Sequence, residues 1–232
     1  MLVDNLKIVQ GKIQAALKTR KEAKLTGDNV TLVAVTKNHA PEVITEALAL
    51  GVECIGENRV QEAKHKKEVL PAGGKWHLIG HLQTNKARQA VALFELIESV
   101  DSERLLEHIN EEAARIGKVQ DVLLQLNIAK EEQKTGFIRE EYLAILPKLD
   151  NYKNVRVRGL MVIAQACADV EKTRPVFAAG YRCFCRLKEA RPEIDCLSMG
   201  MSNDYTVAIE EGANMVRVGT ALFGQRDYSL KF

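Results

Sequence analysis

The chain has 232 residues, 46% of them hydrophobic and 28% charged, which is typical of a globular protein with a full core and excludes disorder as its main state. Its 33 Lys and Arg residues against 31 Asp and Glu residues give a net charge of +2, so neither a nucleic acid nor an anionic membrane is expected as a partner. No run of about 18 apolar residues and no apolar signal core are present, and the 5 cysteines are odd in number, so the reducing cytoplasm is the expected location.

Short apolar runs alternate with helical patterns along the chain. A leading helix is predicted over roughly 3–24, and eight strands follow it at 31–36, 52–56, 75–79, 94–100, 121–128, 155–164, 194–198 and 214–218. The helices between and after these strands are predicted to begin at Pro41, at Val60, after Asn85, and at Ser102, Glu140, Asp169 and Ser202.

This strict repetition of strand and helix predicts the fold class. It implies parallel strands with crossover helices, and eight units in a chain of this length predict an α/β fold, a closed (β/α)₈ TIM barrel with an extra N-terminal helix. We expect a single barrel domain over 1–232. An open doubly wound sheet is the alternative, but no Gly-x-Gly-x-x-Gly follows the first strand.

Lys37 follows the first predicted strand, at the end of the barrel where active residues lie. Val33, Val35 and Lys37 alternate along one face, so Lys37 points into the mouth of the barrel if the two valines fill it. A lysine among apolar walls and cations has a lowered pKa, and its neutral amine can form a Schiff base with a carbonyl. A solvated loop lysine is the alternative, and position alone favours it.

The loops after strands seven and eight have the composition of phosphate-binding loops. The first reads SMGMSND over 198–204, where small residues let backbone N–H groups approach a ligand and Ser202 or Asn203 would cap the next helix. The second reads VGTA over 218–221, again a glycine and then a hydroxyl at a helix start. Each alone is typical of an ordinary turn or cap, but two on adjacent strands predict a phosphate site.

Five other side chains at this end allow two interpretations each. A buried Arg217 needs an acceptor, either a strand-end carboxylate or a ligand, and Asn58 can cap a helix or contact a ligand. His77 and His81 indicate a metal pair only weakly, and His77 is expected to be a hydrogen-bonded barrel residue. Lys134 can reach an anion, although a solvated loop position is the simpler interpretation.

A lysine, two phosphate loops and an arginine on one barrel rim favour a small ligand that carries both a carbonyl and a phosphate. Pyridoxal 5′-phosphate (PLP) has both groups, and so does the sugar-phosphate substrate of a Schiff-base aldolase. The residues alone do not separate these two ligands.

Several motifs, in this order, resemble those of the pyridoxal phosphate homeostasis proteins, the YggS/PROSC group. They are VTK at 35–37, GEN at 56–58, WHLIG at 76–80 with LQTNK at 82–86, RGLM at 158–161, LSMGMS at 197–202 and VRVGT at 216–220. The resemblance extends from about residue 32 to 228, and the motifs are specific as a set.

The resemblance implies a barrel similar to the N-terminal domain of alanine racemase, the fold-type III PLP architecture. It implies an internal aldimine of PLP on Lys37, with Arg217 facing the pyridine nitrogen and Asn58 lining the ring site. It also implies a set of residues that hold the phosphate, namely Ser202, Gly219 and Thr220 with backbone help from a turn at Met199, Gly200 and Met201.

The same resemblance points to binding rather than catalysis. A guanidinium that donates to the pyridine nitrogen disfavours its protonation, so the ring is a poorer electron sink. Racemisation also needs a second acid or base, which alanine racemases take from an added domain; the chain ends soon after strand eight, and Tyr205 and His81 are the nearby candidates.

We therefore expect a monomeric PLP-binding protein, without robust catalysis of its own, in vitamin B6 and amino-acid and keto-acid homeostasis. PLP-dependent apoenzymes are its expected transient recipients. A PLP-dependent amino-acid racemase or a Schiff-base aldolase is the alternative.

Overall fold

The computed structural model describes residues 1–70, 73–129, 135–225, 227 and 229. Eight strands form the barrel wall: β1 Thr31–Val35, β2 Cys54–Glu57, β3 Lys75–Leu78, β4 Leu96–Val100, β5 Gln120–Leu126, β6 Val155–Val162, β7 Cys196–Met201 and β8 Met215–Val218. Neighbouring strands pair in chain order and in parallel, and β8 pairs with β1 to close the barrel. The predicted TIM-barrel fold is confirmed, and the open sheet is excluded because such a sheet has two unpaired edges.

The helices lie outside this wall: α1 Leu2–Thr19, α2 Pro41–Ala49, α3 Val60–Val69, α4 Ala87–Leu93, α5 Glu103–Arg115, α6 Arg139–Ile145, α7 Arg174–Ala190, α8 Tyr205–Glu210 and α9 Thr220–Phe223. Three predicted helical regions include 3₁₀ turns, at Thr84–Lys86, Leu146–Asn151 and Val170–Thr173. None of the helices in the described ranges has the length and apolar character needed to cross a membrane.

The leading helix ends earlier than the sequence predicts. α1 stops at Thr19 because Arg20 is extended, and its guanidinium donates to the carbonyls of Ile209 and Ala213 at 2.7 and 2.8 Å. These two bonds tie the end of α1 to the last turn of α8 and the residues that follow it.

Alternation along the strands divides the apolar residues between two cores. One core lies between the wall and the helices, and Ala34 and Leu197 belong to it. A smaller core fills the barrel itself, with Val33, Cys54, Leu96, Leu123, Met161, Cys196 and Met215. Several of its members lie at the beginnings of their strands, so apolar side chains plug the base of the barrel. Polar side chains occupy the positions nearer the mouth, where the strands end.

Candidate functional site

A cleft of about 360 Å³ opens where the barrel strands end, within the range typical of small-molecule sites. It is lined by residues from the loops after β1, β2, β6, β7 and β8, among them Lys37, Asn58, Met201, Ser202, Arg217, Gly219 and Thr220. A larger cleft of about 660 Å³ surrounds Trp76 at the opposite end of the barrel. Active sites of barrels lie at the strand ends, so the smaller cleft is the candidate site.

Arg217 forms the floor of this cleft and is almost completely buried, with 2% of its side chain exposed. Its guanidinium donates to Ser198 Oγ at 2.5 Å and to the carbonyl of Val162 at 3.1 Å, and lies 3.9 Å from Glu98 Oε2. Arg217 therefore pairs with a strand carboxylate, which is one of the two interpretations, and it also lines the cleft, so its contact with a ligand stays a prediction.

A chain of buried hydrogen bonds continues from Arg217 through the barrel. Ser198 Oγ donates to Glu98 Oε2 at 2.6 Å, and Glu98 Oε1 lies 2.8 Å from His77 Nδ1. Burial alone would raise the pKa of Glu98, but the hydrogen bond from His77 and the charges of His77 and Arg217 hold it below its ordinary value. Burial has the opposite effect on His77 and lowers its pKa, yet the hydrogen bonds of His77 with Cys54 and Glu98 raise that pKa to about 9. Glu98 is thus an anion between two cations.

This arrangement predicts a pH-dependent stability. The pKa of His77 is about 9 in the fold against 6.5 ordinarily, so its contribution is complete below pH 6.5 and is lost as the pH rises through 9. We expect the free energy of unfolding to fall by about 3 kcal/mol over this interval, as measured by urea titration at each pH. A His77→Gln protein should lack this part of the slope, and equal slopes in both proteins would contradict the assignment.

The two loops predicted to hold a phosphate are joined by one hydroxyl. Ser202 Oγ accepts hydrogen bonds from the N–H groups of Gly219 at 3.1 Å and Ala221 at 3.3 Å, so it fixes the loop after β7 against the loop after β8. A Cβ atom at Gly219 would lie 3.1 Å from the carbonyl oxygen of Val35, so a larger residue would require β1 and β8 to move apart by a few tenths of an ångström. Thr220 begins α9 and is exposed at the rim.

The predicted turn at 199–201 is wrong, because these residues end strand β7. Met199 is fully buried, and its side chain faces α7, where a Cβ atom on Gly180 would lie 2.9 Å from its sulfur. Gly200 has φ +89° and packs on α8, where a Cβ atom would lie 2.7 Å from Tyr205 Cα. Neither Met199 nor Gly200 lines the cleft, whereas Met201 does.

The predicted helix cap after β7 is also wrong. Asp204, not Ser202 or Asn203, is the N-cap residue of α8. Ser202 is not available for this role because its hydroxyl holds the neighbouring loop, while Asp204 Oδ1 accepts the Met201 N–H at 2.6 Å and so shapes the turn. Burial raises the pKa of Asp204, although the hydrogen bond from Met201 opposes this.

The other side chains that the sequence suggested for the site differ in whether they line the cleft. Asn58 lines the cleft and does not cap α3, whose N-cap residue is Arg59. His77 is the hydrogen-bonded barrel residue that the sequence predicts. His81 is 52% exposed and lies 2.8 Å from Asp101, away from the residues that line the cleft. Tyr205 is buried and does not line it either, and Lys134 lies outside the described residues.

Sequence reasoning missed Ser198, Glu98 and Asp204 as parts of the site. Strand parity offered a signal for Ser198, because Leu197 and Met199 face the helices and the residue between them must face the barrel interior. The signal for Glu98 was weaker: it is a carboxylate inside a strand that is buried at every position, where a charged residue is rare unless it is paired.

Known proteins resemble this chain over almost its whole length. Residues 11–227 match the family model described as alanine racemase, N-terminal domain. The pyridoxal phosphate homeostasis protein of Pasteurella multocida is 36% identical over 230 residues, covering 97% of each chain. That of Aquifex aeolicus is 40% identical over 212 residues, covering 87% of this chain and 90% of the other. The chain belongs to the pyridoxal phosphate homeostasis protein family.

Solved structures with a similar fold include one with clear sequence identity to this chain and one with little. PipY of Synechococcus elongatus with PLP bound has a TM-score of 0.82 and 37% identity, covering 97% of this chain and 100% of PipY. An alanine racemase of Clostridium difficile has a TM-score of 0.73 at 18% identity, covering 96% of this chain and 57% of the racemase. The racemase shares the fold alone, and PipY shares sequence as well.

Proposed function

We propose that this protein binds PLP in the cleft at the strand ends and holds it for storage and delivery in vitamin B6 homeostasis. The observation that carries the proposal is the set of complementary groups in one cleft of about 360 Å³: an amine, hydroxyl and backbone donors on two joined loops, and a buried guanidinium. Relatives over nearly the whole chain are named for PLP homeostasis, and PipY has been solved with PLP bound.

The residues of the cleft fit the parts of the cofactor. PLP supplies an aldehyde, which condenses with the Lys37 amine as the carbonyl oxygen leaves as water. Ser202 and Thr220 would hold the phosphate through their hydroxyl donors, and Gly219 would let the phosphate come close to the backbone. Arg217 would donate to the pyridine nitrogen, and Asn58 would line the ring.

The same residues favour a carrier over a racemase. A guanidinium stays protonated and donates to the ring nitrogen, which leaves that nitrogen unprotonated and weakens the ring as an electron sink. Racemisation needs a second acid or base at the cleft, and the two candidates, Tyr205 and His81, do not line it. The protein would deliver PLP to PLP-dependent apoenzymes through transient contacts. This delivery would link it to amino-acid and keto-acid homeostasis.

An absorbance spectrum tests the binding proposal. We expect a band near ~420 nm from a Schiff base between PLP and Lys37. Borohydride should abolish the band by adding hydride to the imine carbon, and peptide mapping should then find the pyridoxyl group on Lys37 Nζ. The Lys37→Ala protein should show neither band nor label, and a band that survived this substitution would exclude Lys37.

A second measurement tests the absence of robust catalysis. Exchange of the α-proton of free amino acids with deuterium from the solvent is expected to be no faster with the protein than with free PLP. Exchange at enzymatic turnover rates, lost in Lys37→Ala, would contradict this expectation and favour the racemase alternative. No band even after addition of PLP would favour the aldolase.

A further inference from the structure

Lys66 of α3 is among the largest fully buried side chains of the described residues, in a position where lysine is rare. Its Nζ atom lies 2.8 Å from Glu57 Oε1 and 2.7 Å from Glu62 Oε1, and both carboxylates are buried as well. It also donates to the carbonyl oxygen of Thr36 at 2.7 Å. Lys66, Glu57 and Glu62 are called the buried ion cluster below.

The buried ion cluster holds both chain neighbours of Lys37. On one side, Thr36 accepts from Lys66 through its carbonyl and donates from its hydroxyl to Glu57 Oε1 at 2.6 Å. On the other side, the Asn38 N–H donates to Glu62 Oε1 at 2.7 Å. Asn38 has φ +56°, a left-handed conformation that is uncommon outside glycine. The turn that carries Lys37 is therefore fixed on both sides by one set of charges.

Stability alone is a weak reason to keep such a cluster. Removing three charges from water costs free energy that their mutual attraction often fails to recover, and apolar residues of similar volume frequently serve the fold as well. Apolar side chains could not form the hydrogen bonds that these three residues make with Thr36 and Asn38. The charged residues therefore contribute something specific to the fold, because these bonds fix the geometry of the turn after β1.

We propose that Lys66, Glu57 and Glu62 are positioning residues for Lys37, setting the direction in which its amine enters the cleft. This inference rests on the proposed function, in which the Lys37 nitrogen bonds to the aldehyde carbon of PLP and water leaves. A correctly aimed amine lowers the cost of forming that bond, because reacting atoms already held near each other need little further ordering.

The positioning role predicts different effects on a ligand that bonds covalently to Lys37 and on a ligand that binds only through its phosphate and ring. The hydrogen bonds of the buried ion cluster described above end on Thr36 and Asn38, on either side of Lys37. The proposed phosphate contacts come instead from the loops after β7 and β8, and the proposed contact with the ring nitrogen comes from Arg217 of β8. Pyridoxine 5′-phosphate carries a hydroxymethyl group in place of the aldehyde, so it can use those contacts but cannot bond to Lys37. A defect in aiming Lys37 should weaken binding of PLP and leave binding of pyridoxine 5′-phosphate unchanged.

Glu62 offers the cleaner substitution. Burial raises the pKa of Glu57 to about 7, despite the opposing charge of Lys66, so its charge already varies near neutral pH. Glu62→Ala removes the acceptor for the Asn38 N–H while Lys66 keeps its contacts with Glu57 and Thr36. Glu62→Gln retains an oxygen that can accept from Asn38 and so provides the matched conservative variant.

The test is calorimetric titration of the apoprotein with each ligand, alongside the absorbance band of the PLP complex. We expect Glu62→Ala to weaken PLP binding about tenfold and to change binding of pyridoxine 5′-phosphate by less than about twofold. Glu62→Gln should recover most of the lost PLP affinity. Should Glu62→Ala not fold, Glu62→Asp withdraws the acceptor from Asn38 while keeping the charge beside Lys66, and it should show the same selective loss.

Asp121→Ala is the control for a general loss of stability. Asp121 bridges Arg156 at 2.6 Å and Arg158 at 3.1 Å near the base of the barrel, and its removal should leave the preference for PLP over pyridoxine 5′-phosphate as in the natural chain. Equal weakening of both ligands by Glu62→Ala, or no weakening of either, would overturn the positioning role. Absence of the PLP band in the natural chain would refute the proposed function itself.

Discussion

Substitution of Gly159 by alanine is expected to destabilise the barrel by about 3 kcal/mol or more, because the added Cβ atom has no space. It would lie 1.7 Å from the carbonyl oxygen and 2.7 Å from the carbonyl carbon of Cys196 on the next strand. These atoms belong to the backbone of β7, so no side-chain rotation relieves the overlap. The midpoint and slope of urea unfolding of the apoprotein give the free energy.

The reason lies in the pairing of β5 with β6. Val122 pairs with Val157, but the next residue, Leu123, pairs with Gly159, so β6 carries one extra residue at this point. The resulting bulge brings Gly159 against β7, where it pairs with Cys196. Glycine in the RGLM motif is therefore explained by strand pairing and not by a ligand contact.

Gly11→Ala is the matched control, the same chemical change in open space. Gly11 lies within α1, and a Cβ atom there meets no atom within 4 Å. Alanine has the higher helix propensity, so this substitution should stabilise the protein by about 0.5–1 kcal/mol. Similar free energies for the Gly159 and Gly11 variants would contradict the steric explanation.

The barrel was predictable because its signals are local. Each parallel strand is buried on both faces and reads as a short apolar run, as at 121–126, and each crossover helix has its own periodicity. The position of Lys37 followed from parity with Val33 and Val35, since alternation along a strand persists for one or two residues into the loop.

The parts of the site that the sequence did not predict depend on closure of the barrel. Ser198 and Glu98 bond across the interior although 100 positions separate them in the chain. Lys66 stands in a run of charged residues on α3, which is typical of an exposed face. In the fold its buried amine meets the carbonyl oxygen of Thr36 and the carboxylates of Glu57 and Glu62. Such contacts are made by tertiary structure and leave no periodic pattern.

The errors around β7 have a different origin. Glycine and serine in SMGMSND favour a loop, and tertiary context overrides that preference because β7 is paired on both sides by β6 and β8. The strand consequently continues to Met201, and the cap of α8 moves along the chain to Asp204.

Replacement of Glu98 by alanine is the second substitution with a large expected effect, a loss of about 3–5 kcal/mol in the free energy of unfolding. Glu98 is fully buried and is the counter-charge of both His77 and Arg217. Removing it leaves the buried guanidinium of Arg217 without an anion, and His77 loses a partner that keeps it protonated. Urea unfolding below pH 7, where His77 is protonated, should show the full effect.

Glu53→Ala separates the effect of burial from the effect of losing an ion pair. Glu53 lies 3.3 Å from Lys75 Nζ, but it is 77% exposed, so both charges remain hydrated when the pair is broken. We expect this control to change stability by less than about 1 kcal/mol. Similar losses in the free energy of unfolding for Glu98→Ala and Glu53→Ala would mean that burial does not explain the contribution of Glu98 to stability.

Glu98→Ala should also differ from Glu62→Ala in its effect on ligands. Glu98 acts on Arg217, which in the proposed complex faces the pyridine ring, and that ring is common to PLP and pyridoxine 5′-phosphate. Loss of Glu98 should therefore weaken both ligands together, whereas loss of Glu62 should weaken PLP alone. Two buried carboxylates, one behind the ring site and one behind the amine, would then be distinguished by the same pair of titrations. A selective loss of PLP binding in Glu98→Ala would show that the two networks are not independent.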